Sequence, residues 1–155
     1  MKFSLEQSLL SDLSQLIEQA QRKVVIQINS GVSMLFWQVG KRISEHILQN
    51  KRAEYGKEIV VTLSRELKNK YGRNFEERNL RRMIQFAEEF SDFEIVATLS
   101  PQLSWSHFIT LLPIKNHEAR FFYSKKIAEE SWSVRFTRKQ SNRLDIMRRN
   151  KPGAN

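Results

Sequence analysis

The sequence has no cysteine, three prolines and five glycines among its 155 residues. Without cysteine the chain forms no disulfide and offers no thiolate ligand for zinc. All three prolines lie beyond residue 100, so the first hundred residues are free to form long helices rather than short strands and turns. No run approaches the roughly 18 apolar residues of a membrane span, and the first ten residues lack the pattern of a secretory signal. We therefore expect a cytoplasmic protein with no membrane partner.

Charged residues make up 28% of the chain, and the excess of basic residues gives a net charge of +9 and a pI near 10.0. With 40% apolar residues, a chain of this length suits one domain with a real core. We expect that domain to span residues 1–150, followed by a frayed tail at 151–155. The excess positive charge predicts an anionic partner and favours nucleic acid.

Apolar residues recur every three or four positions from Leu9 to Leu48. This spacing predicts one very long helix or two collinear helices. The alternative is a helical hairpin that bends at Ser30 and Gly31. A continuous helix would be roughly 60 Å long, which is more than one small globule can cover. A homodimer formed through the Leu9–Leu48 helix is therefore a candidate assembly.

A helix-turn-helix pattern occupies residues 58–90. We expect a polar turn at 50–56 and then a first helix that ends at a left-handed Gly72. The second helix should be capped by Asn74, with Glu77 completing a capping box. Its inward face is predicted to carry Leu80, Met83, Ile84, Ala87 and Phe90.

The string EIVVTLS at 58–64 is nearly repeated as EIVATLS at 94–100, which indicates a second, shorter helix-turn-helix unit. Ser104, Asn116 and Ser133 are each placed to cap a further helix. The sequence therefore predicts an all-α, multi-helix domain of about six helices. It would comprise a long N-terminal helix, helix-turn-helix-like units and a basic C-terminal helix.

Basic side chains fall on the outer face of the second helix of this pattern and along the last helix. Arginine and glutamine side chains can reach base edges and phosphates in a major groove. Residues beside the start of a helix suit a phosphate contact. We therefore predict a site for double-stranded DNA that contains Arg73, Asn74, Arg78, Arg81, Arg82 and Gln85, together with Arg135, Arg138, Lys139 and Arg143.

The alternative interpretation of these surfaces is that they are ordinary solvated helix faces. Glu76, Glu77, Glu88 and Glu89 lie on the same helix as the arginines and cancel much of its charge. A basic terminal helix is equally typical of a linker or a docking strip.

Residues for catalysis are sparse. The three histidines are too scattered to form a metal pair, and the glycines are isolated rather than grouped into a phosphate-binding loop. Glu66 and Lys68 match the E-x-K pair of metal-dependent nucleases, but they lie within a helical pattern. His107 is interpreted as a helix-face or core-edge histidine, and Trp37 and Trp105 as core packing rather than stacking platforms for bases. We predict no catalytic residue, no metal and no cofactor.

Several strings occur together in this chain: LFWQVGKRI, AEYGK, YGRNF, NLRRM and LSWSHF. In combination they closely resemble the N-terminal domain of the YhcG family of bacterial proteins, over roughly Leu9 to Arg143. The resemblance implies a helical, helix-turn-helix-like module that precedes a nuclease domain of the PD-(D/E)xK type and brings it to DNA. Because the sequence stops at Asn155, where that catalytic domain would start, we expect no enzymatic activity.

Two alternatives to a DNA-binding module stay open. One is a protein-interaction or dimerisation module that docks a nuclease partner, which predicts self-association that survives high salt. The other is a truncated relic of a longer nuclease, folded but without an independent function.

Overall fold

The computed structural model describes the backbone of residues 2–50 and 53–149, and the side-chain surroundings of residues 7–50 and 54–143. The expected frayed tail at 151–155 lies outside the described residues. Within them every regular element is helical, so the all-α prediction is confirmed, with seven α-helices rather than about six. The elements are α1 (Lys2–Gln49), α2 (Ala53–Tyr71), a 3-10 turn (Arg73–Phe75), α3 (Glu77–Glu89), α4 (Phe93–Leu99), α5 (Trp105–Leu111), α6 (His117–Glu130) and α7 (Val134–Arg149).

Helix α1 is continuous over 48 residues, roughly 70 Å of helix. Gly31 lies inside it without a break, so the hairpin alternative is wrong and the long helix is confirmed. The two halves of α1 have different surroundings. Residues 7–28 are exposed, apart from a half-buried Ser14, whereas residues 29–49 include the buried Phe36, Trp37 and Ile43.

The buried face of α1 follows the periodic pattern only in part, because Ile43 is buried and Val39 and Ile47 pack against the core. Val32 and Leu35, which belong to that pattern, are 36% and 48% exposed. The chain is apolar on nearly every side between residues 32 and 39, so the pattern is compatible with more than one inward face. Helix α3 packs against the face that carries Gly40, because only there can the two backbones approach closely.

The connection from α2 to α3 differs from the predicted one in three ways. Helix α2 already begins at Ala53, so residues 53–56 are helical and not a polar turn. Gly72 has the expected positive φ of 104°, but its ψ of −166° is extended rather than left-handed helical. Asn74 lies within the 3-10 turn, and α3 is capped by Glu76 without a side-chain hydrogen bond. The capping box of Asn74 and Glu77 is therefore wrong.

Tertiary contacts account for the position of this turn. The ring of Phe75 packs edge-on against Phe36 of α1, with 6.2 Å between their centroids. The hydroxyl of Ser64 on α2 donates to the carbonyl of Phe75 at 2.9 Å. These contacts hold residues 73–75 in a turn of their own, so α3 starts later than its local sequence indicates.

Helix α3 lies at the centre of the fold, and its inward residues join two apolar clusters. Leu80 and Met83 pack with the buried residues of α1 and α2, and Phe86 packs with α4, α5 and α6. The predicted inward residues of this helix are buried, apart from Ile84, which is half-buried. Phe86 is also buried, although the sequence analysis did not predict it. The core assignment of the two tryptophans is confirmed. Trp37 is buried and donates to the carbonyl of Phe90 at 2.7 Å. The half-buried Trp105 donates to Asn79 Oδ1 at 2.9 Å.

The near-repeat at 58–64 and 94–100 has the same inward face in both copies. Val60 and Ser64 are buried in the first copy, as are Val96 and Ser100 in the second. The helices themselves differ, because the first copy lies within 19 helical residues and the second forms a helix of only seven. The likeness therefore extends to the packing face and not to the length of the unit.

The helix caps at Ser104, Asn116 and Ser133 are confirmed. The side chain of Ser104 accepts from the amide of His107 at 3.3 Å, and that of Asn116 accepts from Ala119 at 3.1 Å. The side chain of Ser133 accepts from the amide of Phe136 at 3.0 Å. Each of these hydrogen bonds satisfies an amide that the first turn of a helix would otherwise leave unpaired.

His107 joins the start of α5 to the loop before α7. Its Nδ1 accepts from the Ser104 amide at 3.0 Å, which completes a capping box. Its other ring nitrogen, Nε2, donates to the carbonyl of Trp132 at 2.8 Å. The neutral form of the ring makes both hydrogen bonds. Burial lowers the pKa of His107 below its usual value of 6.5, although the hydrogen bond to Trp132 by itself raises the pKa. The prediction of a core-edge histidine is confirmed.

We expect thermal stability to fall as the pH drops below about 6.5. In that range the unfolded chain binds a proton at His107, whereas the folded chain does not, because its pKa is lower. The loss should stop once the pH is below the folded-state pKa. The effect should be modest, since part of the ring is close to solvent. Melting curves between pH 7.5 and 5 would measure it. The His107→Gln variant keeps a side chain that can complete the capping box but cannot titrate, and it should show a shallower pH dependence. An identical pH dependence in this variant would contradict the assignment.

Helix α6 is anchored by a buried charge. Arg120 is 2% exposed, and its Nη2 lies 2.9 Å from Glu89 Oε2 of α3. The same nitrogen donates to the carbonyl of Ile114, and Nη1 donates to the carbonyl of Glu89 at 3.3 Å. The neighbouring Phe121, in contrast, is 42% exposed. The side chain that α6 buries here is therefore a cation, and its charge is balanced by a carboxylate and two backbone carbonyls.

Candidate nucleic-acid interface

The outer face of α3 carries the polar residues that the sequence predicted for it. Arg78, Arg81 and Gln85 are exposed, and Arg82 is half-buried. Residues three and four apart lie on one side of a helix, and the inward Leu80 fixes which side that is.

Arg82 and Gln85 line a groove that α3 forms with α5 and α7. Arg138 and Asn142 of α7 lie on its other side, and the groove encloses about 530 Å³. The turn after α5 forms its remaining wall, where the carbonyl of Leu112 accepts a long hydrogen bond of 3.5 Å from Gln85 Nε2. We call this the α3–α7 groove; it is lined by Arg82, Gln85, Ile109, Thr110, Leu112, Pro113, Arg138, Ser141 and Asn142.

A second groove lies between α2 and the start of α3. Arg65, Lys68 and Asn69 line it from α2, and Arg78 lines it from α3, around a volume of about 610 Å³. The carboxylates of Glu76 and Glu77 also line this groove. We call this the α2–α3 groove. Sequence reasoning did not assign these three residues of α2 to the site. Their spacing places them on one side of α2, but which helix faces that side is a tertiary fact.

Salt bridges divide the cations of this surface into two groups. Arg81 pairs with Glu77 at 2.9 Å, and Lys68 lies 3.7 Å from Glu76. Among the ion pairs of the described side chains, none includes Arg78, Arg82 or Arg138.

The other two acidic residues of α3 have partners on different helices. Glu88 accepts from the hydroxyl of Ser44 on α1 at 3.2 Å, and Glu89 pairs with Arg120 of α6. Of the four carboxylates that argued for an ordinary solvated face, Glu76, Glu88 and Glu89 therefore contact neighbouring helices, whereas Glu77 pairs with Arg81 within α3.

Arg73 and Asn74 are exposed in the 3-10 turn, ahead of the start of α3. The carbonyl of Asn74 accepts from Asn79 Nδ2 at 2.6 Å. Glu76 and Glu77 occupy the first positions of α3 and place two carboxylates at its positive end. That helix end is therefore less suited to a phosphate than the sequence pattern suggested.

The predicted site residues of α7, Arg135, Arg138, Lys139 and Arg143, are exposed, but they are not equivalent. Arg138 lines the α3–α7 groove, whereas Arg135, Lys139 and Arg143 are not among the residues that line either groove. The buried Thr137 fixes the orientation of this helix. The side chains of residues 144–155 lie outside the described part of the chain.

Neither a metal site nor a membrane span is found in the described part of the chain. No three histidine, aspartate or glutamate side chains there are grouped closely enough to hold a metal ion. No helix there is both long and apolar enough to cross a bilayer.

The structure defines an all-α domain in which three helices bring basic side chains to two adjoining grooves. The chain belongs to the DUF1016 N-terminal domain family, which it matches over residues 12–146. It is similar to the "Putative nuclease YhcG" of Escherichia coli (strain K12), with 29% identity over 155 residues. This similarity covers 81% of the chain but only 41% of that protein. No solved structure matches the chain. The resemblance to the YhcG N-terminal domain is therefore confirmed.

Proposed function

We propose that this domain binds double-stranded DNA through the α3–α7 groove and the adjoining α2–α3 groove. One observation carries the proposal. The basic residues of α3 and those of α7, which are far apart in the sequence, contribute Arg82 and Arg138 to the same groove. The net charge of +9 adds a general attraction for a polyanion.

The two grooves are joined along the outer face of α3. Arg78 lines one groove and Arg82 lines the other, one helical turn further on. Contacts from these arginines to phosphates would supply most of the affinity. Gln85 lines the same groove as Arg82, and its side-chain amide can read an adenine edge.

The relative from Escherichia coli is named as a nuclease, and the present chain covers less than half of its length. We propose that the domain acts as the DNA-binding part of a nuclease system and does not itself cleave DNA. A cytoplasmic location belongs to this proposal, because bacterial DNA lies in that compartment. Docking of a nuclease as a separate partner chain is the alternative assembly.

Removing two of the groove cations tests the proposal. The double variant Arg82→Ala, Arg138→Ala should weaken binding to a DNA duplex by roughly 10- to 100-fold at low salt, because two phosphate contacts are lost. The plot of log affinity against log salt concentration should become less steep by about two. Fluorescence anisotropy with a labelled duplex at several salt concentrations measures both quantities.

The matched control is Arg22→Ala, Lys115→Ala, which removes the same charge from exposed positions outside both grooves. It should change the affinity much less. Equal losses in the two double variants would show that net charge alone drives binding, and an unchanged affinity in the groove variant would remove the groove from the site.

A second candidate function, that of an interaction module, is favoured by a different surface. The first half of α1 exposes apolar side chains that the basic grooves do not involve.

A further inference from the structure

The first half of α1 carries a row of apolar side chains that are exposed to solvent. We define the apolar stripe as Leu9, Leu13, Leu16, Ile17, Val24 and Ile28, which are 46–63% exposed. With 3.6 residues per turn these positions fall within about one third of the circumference of the helix. A surface helix normally turns such a stripe towards a core.

The core of the domain is reached by a different face of the same helix. Phe36, Gly40 and Ile43 are buried towards the rest of the fold. Continuing the helical rotation from the stripe places these residues roughly half a turn away from it. A partner can therefore cover the stripe without displacing α3.

We propose that a second copy of this chain covers the apolar stripe, with the two α1 helices antiparallel about a two-fold axis between Leu16 and Ile17. In this register Leu9 of one copy packs against Val24 of the other, and Leu13 packs against Ala20. A two-fold interface of this kind is closed, because the same surface is used by both copies.

The charges beside the stripe favour this orientation. Asp12 and Lys23 are both exposed and lie on the same edge of the stripe. In an antiparallel pair like edges face each other, so Asp12 of each copy lies beside Lys23 of the other. In a parallel pair that edge would face the opposite edge, and neither residue would gain an opposite charge. The opposite charges of Asp12 and Lys23 on this edge therefore favour an antiparallel arrangement of the two copies.

The area is of the right size for a dimer. With about half of each side chain exposed, the six residues offer roughly 400 Å² of apolar surface per copy, which is on the order of the apolar share of a standard interface of about 800 Å² per partner. The dimer does not depend on DNA binding, because the stripe and the basic grooves share no residue.

Light scattering of the full chain over a range of concentrations tests the dimer. Leu16→Glu places two carboxylates at the centre of the proposed interface, and it should raise the dissociation constant at least about 100-fold. Ile26→Glu is the matched control, because Ile26 is 43% exposed on the far face of the same stretch. It should leave the dimer intact. A monomer at every concentration of the unsubstituted chain, or equal effects of the two variants, would overturn the proposal.

The absence of native cysteine allows the orientation to be measured by disulfide trapping. The Ile17→Cys variant should cross-link with itself, since the axis passes beside this position. Leu9→Cys and Val24→Cys should each stay uncross-linked alone but form a covalent dimer when the two proteins are mixed. Cross-linking of Leu9→Cys with itself would indicate a parallel pair and would refute the antiparallel register. DNA affinity of the Leu16→Glu variant, measured separately, distinguishes failure of the dimer from failure of the DNA site.

Discussion

Replacing Gly40 with alanine should destabilise the domain by at least about 3 kcal/mol, the largest effect that we expect from any single methyl group in this chain. A Cβ at this position would lie 1.9 Å from the carbonyl oxygen of Met83. The obstacle is the backbone of α3, which cannot rotate aside as a side chain can. The variant can fold only if α1 and α3 separate, and their separation would open the core around Phe36 and Met83.

Gly31→Ala is the control, because Gly31 lies in the same helix and a Cβ there has nothing within 4 Å. This variant should be more stable than the unsubstituted chain by about 0.5–1 kcal/mol, since alanine is the better helix former. Chemical denaturation followed by circular dichroism measures both changes. If Gly40→Ala were tolerated as well as Gly31→Ala, the close approach of α1 and α3 would be wrong.

Replacing Arg120 with methionine should cost about 3 kcal/mol, the second large effect. Methionine fills much of the same volume but leaves Glu89 without its partner and the carbonyl of Ile114 without a donor. The cost should fall at the lower end for a broken buried ion pair, because Glu89 keeps some access to solvent. Arg120→Lys should not restore stability, since a single ammonium cannot reach all the acceptors that the guanidinium fork serves.

The matched control is Lys125→Met, an exposed cation on the same helix. It should change the free energy of unfolding by less than about 0.5 kcal/mol. Urea denaturation of Arg120→Met, Arg120→Lys and Lys125→Met at one pH measures the free energy of unfolding of each variant. Similar stabilities for Arg120→Met and Lys125→Met would show that the buried guanidinium contributes little to the fold.

The parts of this fold that the sequence predicted are those determined by local chemistry. The caps at Ser104 and Asn116 depend on groups three residues away, and the continuity of α1 depends on helix-forming residues along its length. The turn before α3 was placed wrongly because Phe75 is held by contacts with Phe36 and Ser64, which no local pattern encodes.

The buried position of Arg120 also escaped prediction, for a related reason. A charged residue in a helical pattern is normally assigned to solvent, and only its partner on a distant helix allows it to be buried. Glu89 lies 31 residues before Arg120. The sequence contains both residues but nothing that pairs them.

The sequence predicted the basic residues of the candidate site but not how they are arranged around the grooves. The basic residues of α3 and of α7 were identified separately, and their charge alone indicated an anionic partner. That Arg82 and Arg138 line one groove, while Lys139 and Arg143 do not line either groove, follows from the way α5 and α7 pack and could not be read from spacing.

The uneven surroundings of α1 bear on how its length can vary. A single inserted residue between Ser33 and Ser44 would turn every later side chain by about 100° and misalign the whole contact with α3. Insertions or deletions within residues 7–28 would leave that contact unchanged, because these residues are exposed apart from the half-buried Ser14. Relatives should therefore differ in length mainly there, in steps of about 7 or 11 residues that keep a stripe in register.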